Sequence, residues 1–164
     1  MLLEDFNRAE RSAALAALRP CADVPRWCEL LVDHRPYASI DALVAMAAAA
    51  ASFTPDEVAA ALAHHPRIGE RAAGDSREAA MSRAEQSGVD PADVAVQQAL
   101  RDGNIAYEQR FGRVFLIRAA GRSPAEILAA LRERLQNDDE SEDRIVAEQL
   151  REIALLRLRG VITS

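Results

Sequence analysis

The sequence is poor in the residues that most often carry a reaction. It holds three histidines, His34, His64 and His65, and two cysteines, Cys21 and Cys28. A structural zinc site wants four Cys or His ligands at family spacings, a catalytic one usually three with an open position. No such cluster and no H-E-x-x-H run is present, so no metal is expected. Two cysteines make no disulfide framework in a chain of 164 residues, and both read as buried free thiols in a reducing compartment. There is no G-x-S-x-G nucleophile elbow, no phosphate-binding glycine loop and no dinucleotide fingerprint. No stretch approaches the ~18 apolar residues of a membrane span, and no basic-then-apolar leader opens the chain. A soluble, cytoplasmic protein is therefore expected. The formal net charge of -6 lacks the basic excess of a nucleic-acid or anionic-membrane surface. Aromatics make up only 4% of residues against 49% apolar. The core must then be built from Leu, Ala, Ile and Val, a composition suited to closely packed helices.

Helix starts, by contrast, are plentiful. Thr54-Pro55-Asp56-Glu57, Asp90-Pro91-Ala92-Asp93 and Ser123-Pro124-Ala125-Glu126 each place a capping oxygen first, proline at the first helical position and an acid three residues after the cap. Asp75-Ser76-Arg77-Glu78 gives a fourth start and Asp23-Val24-Pro25 a fifth, carrying Trp27 and Leu31. Periodicity predicts helices over about 8–18, 39–51, 54–64, 76–87, 91–110, 124–135 and 142–159. Expected apolar positions include Ile40, Leu43, Val44 and Ala47; Val94, Leu100 and Tyr107; and Ile145, Leu150, Ile153 and Leu156. Gly103 should weaken its helix by about 1 kcal/mol relative to Ala unless packing there needs a small residue. Phe111-Gly112-Arg113-Val114-Phe115-Leu116-Ile117-Arg118 is β-branched and aromatic without a 3.6 period, and predicts an extended buried segment near 113–118. The expected fold is all-α, a single-domain bundle of about eight helices over 1–164.

The best candidate for a reaction centre is Ala63-His64-His65-Pro66-Arg67-Ile68-Gly69-Glu70. Pro66 cannot continue the helical ladder and pushes His65 out of the α region, freeing its side chain from the helix wall. Adjacent helical residues point about 100° apart, so one of the two histidines faces the site, not both. The plainer alternative is an imidazole that only stabilises the helix C-terminus. A second constellation is Ser82-Arg83-Ala84-Glu85-Gln86, where hydroxyl, carboxylate and amide share one side of a helix and could read a polar ligand. Its plainer alternative is a solvated face. A third is the arginine-bearing tail. Arg157 and Arg159 on an apolar helix end either snorkel to water or fork onto a carboxylate, and with Arg67 could bind an anion.

Taken together, His65-Pro66-Arg67-Ile68-Gly69, Ser82-x-x-Glu85-Gln86, Asn104-x-x-Tyr107-x-x-Arg110-Phe111-Gly112 with Phe115 and Ile117, Glu148-x-x-x-Glu152-Ile153 and Leu156-Arg157-Leu158 resemble the 2-oxo-4-hydroxy-4-carboxy-5-ureidoimidazoline (OHCU) decarboxylase family. The order is the same, and the resemblance spans nearly the whole chain. It implies an all-helical, cofactor-free carboxy-lyase of urate breakdown that yields (S)-allantoin, acting as a homodimer. It further implies that His65 is the catalytic acid or base and Glu85 its partner. Pro66, Ser82, Arg83, Ala84 and Gln86 would contact the ureidoimidazoline substrate, Arg157 would bind it, and the backbone of Phe115, Leu116, Ile117, Arg118 and Ala119 would meet its ring. The chain departs from the family's usual phenylalanine-glycine-phenylalanine-proline-phenylalanine run at Arg113-Val114. The family's upstream 5-hydroxyisourate hydrolase, sometimes fused, is expected on a separate polypeptide with which the chain could be functionally coupled. Two competing readings are a non-enzymatic helical partner-binding module of the same fold and a metal-dependent amidohydrolase.

Overall fold

Two of the three proline-bearing helix starts fall where the structure can be read, and both form reciprocal caps. The structure is a computed structural model describing residues 1–63, 65, 68 and 94–164. Thr54 Oγ1 accepts the Glu57 N–H at 3.3 Å while Glu57 Oε2 accepts the Thr54 N–H at 2.9 Å, opening a helix at Pro55–Leu62. Ser123 and Glu126 repeat the exchange at 3.2 and 2.6 Å and open Pro124–Arg134. The start at Asp90 and the helix expected over 76–87 lie outside the described residues.

Eight helices occur among the described residues, with no strand beyond one isolated bridge between Leu2 and Thr163. In chain order they are α1 Leu3–Arg8, α2 Arg11–Leu18, α3 Pro25–Asp33, α4 Ile40–Ala50, α5 Pro55–Leu62, α6 Val94–Phe111, α7 Pro124–Arg134 and α8 Asp139–Val161. The all-α expectation holds, and residues 114–119 form the expected non-helical segment. Some boundaries differ. The helix expected from about 8 begins at Arg11, after Ala9 in extended backbone, and is preceded by the unexpected α1. The cap of α3 is Val24 rather than Asp23, with no side-chain hydrogen bond and Pro25 in the first turn. Helix α8 begins three residues before the expected Glu142. None of the described helices is long and apolar enough to cross a membrane.

The described chain divides into two compact units. The first joins 1–61 to 150–164, and within it α3 packs against α2 and α4. Its buried side chains include Phe6, Leu18, Trp27, Leu31, Leu43, Ile153 and Leu158. Trp27 Nε1 donates to Ala47 O at 3.0 Å, so the chain's one tryptophan is sunk in the core without an orphaned donor. Arg26 forks onto Glu57 at 2.7 and 3.0 Å, tying α3 to the cap of α5. Cys21 and Cys28 are both buried and in no disulfide, and burial pushes the Cys28 thiol up to about 12.

The second unit is 62–149. Gly112, at φ 69°, stops α6 in a left-handed turn, and Gly121, at φ 79°, turns the chain toward α7. Packing does need Gly103 to be small. A Cβ there would run into the fully buried Leu131 on α7, meeting its Cδ2 and lying 3.2 Å from its Cγ. Ala would gain about 1 kcal/mol of helix propensity but cost about 1–3 kcal/mol in overpacking. Gly103→Ala is therefore expected to lower stability by about 1 kcal/mol in urea denaturation, and Gly103→Val by more. Adding Leu131→Ala should relieve much of the Gly103→Ala loss, a coupling visible in a double-mutant cycle. A Gly103→Ala protein more stable than wild type would mean α6 and α7 do not approach this closely.

Candidate active site

Helix α5 ends short of the expected residue 64. The helix stops at Leu62, and the His65 N–H makes one last short-range bond to Leu62 O at 3.0 Å before the chain leaves the helix. His65 is half-buried. Three residues on, Ile68 is buried in the core of the second unit, and its carbonyl accepts from Asn104 Nδ2 on α6 at 2.9 Å. Leu62 O thus holds the His65 amide, and Asn104 holds the Ile68 carbonyl. Asn104 is itself 3% exposed, and its Oδ1 has no partner among the described residues.

Ile68 shares its core with Phe115, Ile117 and Ala119. Ile68 and the 115–119 segment therefore share one packed cluster with Leu100, Tyr107, Ile127 and Leu131. Phe115, Leu116, Ile117 and Ala119 are buried, and Arg118 is half-buried with Nη1 3.4 Å from Ala120 O. Aromatic packing fixes the start of the segment. The Tyr107 ring lies 4.7 Å from Phe111 and 5.2 Å edge-on to Phe115.

Under the segment lies a buried polar network that pattern reading missed. Glu142, fully buried, takes Nε and Nη2 of Arg134 on its Oε1 at 2.8 and 2.5 Å. Tyr107 donates its hydroxyl to the same oxygen at 2.5 Å, and Asn137 Nδ2 reaches Oε2 at 2.9 Å. The remaining Arg134 nitrogen, Nη1, donates to Leu116 O at 2.6 Å, and its guanidinium sits 4.6 Å over the Phe115 ring. The only legible signal was an arginine and a glutamate flanking the α7 to α8 turn, on helices rich in both. Arg113, at the departure from the family's aromatic run, pairs with Asp143 at 2.7 Å.

Burial pushes the Tyr107 hydroxyl up to about 12, and its bond to Glu142 adds to the rise; burial does the same to Tyr37, whose hydroxyl donates to Leu31 O at 2.8 Å. These are the only two tyrosines. Both folded values lie above the unfolded one near 10, so their stabilising contribution is full below about pH 10 and is lost as pH rises toward about 12. Absorbance at 295 nm is expected to stay flat in the native protein to about pH 11, and to titrate near pH 10 in urea. Native titration of either tyrosine near pH 10 would contradict this burial.

In the first unit, Arg157 is 3% exposed, with Nη1 donating to Pro20 O at 3.1 Å. Its burial follows from the true register of α8, whose covered face runs Val146, Leu150, Ile153, Ala154, Arg157, Leu158 and Val161. Of the expected stripe, Leu150 and Ile153 are buried, while Leu156 is 40% exposed and Ile145 only half-buried. Val94 on α6, also expected inside, is 71% exposed. Arg159 stays at the surface, 3.2 Å from Asp41. His34 is exposed, its Nδ1 2.9 Å from Leu30 O at the end of α3. Pro66, Ser82, Arg83, Ala84, Glu85 and Gln86, with His64 and Arg67, lie outside the described residues.

Comparison with known proteins agrees with the motifs. The chain is 28% identical over 167 residues to the 2-oxo-4-hydroxy-4-carboxy-5-ureidoimidazoline decarboxylase of Haloferax volcanii, covering all of this chain and 98% of that protein. It is 26% identical to the uric acid degradation bifunctional protein of Bacillus sp. (strain TB-90), of which it spans 32%. Its fold matches a crystal structure of OHCU decarboxylase in the presence of (S)-allantoin with a TM-score of 0.69, at 23% identity, over 93% of this chain and 97% of that one. The family model for OHCU decarboxylase matches residues 7–159, and the chain belongs to that family.

Proposed function

We propose that this protein catalyses the decarboxylation of OHCU to (S)-allantoin. The observation that carries the reading is a family match over nearly the whole chain, supported by Ile68, three residues after His65, lying in the core that holds the 115–119 segment. Loss of carbon dioxide leaves an electron pair that the neighbouring imidazoline ring can accept. A proton added to one face of the carbon bearing the ureido group then fixes the (S) configuration. Positioned donors lower the barrier by stabilising that charge as it develops. In this proposal His65 manages the proton and Glu85 polarises it while binding the hydroxyl or ureido end. Ser82, Gln86 and Arg157 orient the ring and ureido group, with Pro66, Arg83, Ala84 and the 115–119 backbone forming further substrate contacts.

A cytoplasmic homodimer coupled to a separate 5-hydroxyisourate hydrolase completes the proposal. The Bacillus relative, a bifunctional uric acid degradation protein about three times the span matched here, supports the coupling. Light scattering of the purified chain tests the dimer.

The activity is tested by generating OHCU from urate in situ with the upstream enzymes and following the circular dichroism of the product. Rapid growth of the (S)-allantoin signal, well above a sample without this protein, is expected. A rate equal to that blank would discard the decarboxylase and leave a helical binding module.

A further inference from the structure

We propose that Gln149 and Arg134 are positioning residues that hold the 115–119 segment in register for the substrate ring without touching the substrate themselves. This rests on the decarboxylase reading above. An extended segment with no neighbouring strand has peptide groups that must find partners elsewhere. Here two long side chains, distant in sequence, supply them. Arg134 Nη1 donates to Leu116 O at 2.6 Å, and Gln149 Oε1 accepts the Arg118 N–H at 2.9 Å. In an extended chain, groups two residues apart face the same edge, so both braces grip one edge and the peptide groups of Ile117 turn to the other. A substrate ring meeting this backbone meets an edge whose back is bolted to α7 and α8.

The Arg134 brace has a fixed direction. Its other nitrogens are held by Glu142, and its guanidinium plane is stacked on Phe115, the first residue of the segment. A buried ion pair is commonly no more stabilising than well-packed apolar residues of the same volume. What apolar residues could not do is point a donor at the Leu116 carbonyl. Gln149 is the simpler half of the device, a half-buried neutral side chain whose Oε1 accepts the Arg118 N–H.

Gln149→Met keeps the volume and removes the amide oxygen, and Gln149→Glu keeps an acceptor. Gln149→Met is expected to raise KM for OHCU about tenfold and weaken (S)-allantoin binding by the same factor, with kcat changed less and the melting temperature within about 2 °C of wild type; misplacement of a reacting group by about 1 Å can cost as much as 100-fold. Gln149→Glu should recover most of that loss. Wild-type KM and product affinity in Gln149→Met would overturn the proposal. So would a loss shared equally by both variants in proportion to a fall in melting temperature, which marks a purely structural side chain. If the wild type itself fails to decarboxylate OHCU, the decarboxylase reading falls and this proposal with it. An active wild type with an unaltered Gln149→Met overturns the positioning role alone.

Discussion

Replacing His65 by alanine is expected to slow OHCU decarboxylation by ~10²- to 10⁴-fold, the range for one general acid or base. The same circular dichroism assay reads it directly. The substitution should leave the fold standing. The His65 N–H bond to Leu62 O belongs to the backbone, and Ile68 remains anchored by its own burial and by Asn104. His65 is half-buried, and the melting temperature is expected to shift by only a few degrees. His65→Gln, which keeps a hydrogen-bonding group but cannot carry the proton, should be nearly as slow as His65→Ala. A glutamine variant with wild-type turnover would assign His65 a binding role and move the proton chemistry to another group.

The largest expected loss of stability comes from Glu142. Removing one member of a buried ion pair costs about 3–5 kcal/mol, because the other charge is left without compensation in a medium that solvates it poorly. In Glu142→Leu the stranded groups would be the Arg134 guanidinium, the Tyr107 hydroxyl and the Asn137 amide, all of which Glu142 now satisfies. For a chain of this length that corresponds to a fall in melting temperature of roughly 6–20 °C. Arg134→Met combined with Glu142→Leu should be less damaging than the sum of the two single changes, since the pair leaves together. Full recovery is not expected, because Tyr107 and the Leu116 carbonyl lose partners in the double variant, at about 1–3 kcal/mol for each buried orphan. Urea denaturation of the four proteins closes the cycle. A single Glu142→Leu variant within about 1 kcal/mol of wild type would show that the network is not closed as described.

Local signals were read well because their physics is local. Thr54 and Ser123 each find their partner three residues away, so a capping box is written in four consecutive letters. The extended run at 114–119 was equally legible, since β-branched and aromatic residues without a helical period cannot bury one helical face. Positions read from periodicity fared less evenly. On α8 the stripe through Leu150 and Ile153 was placed correctly, while Leu156 points outward and Arg157 occupies the covered face. An arginine inside an apolar stripe looks like an interruption in the sequence and like part of the wall in the structure.

The sequence by itself determined the helical class, the end of α5 ahead of His65, the two caps and the family motifs, because each depends on residues a few positions apart. Tertiary structure decided what those parts are fastened to. Ile68 O is held by Asn104 from 36 residues away, Leu116 O by Arg134 from 18, and the Arg118 amide by Gln149 from 31. The need for glycine at 103 is set by Leu131 on another helix. Pairings of this kind bring together groups that periodicity cannot relate. The free energy that selects them comes from burying polar atoms, each of which must find a partner once water is gone.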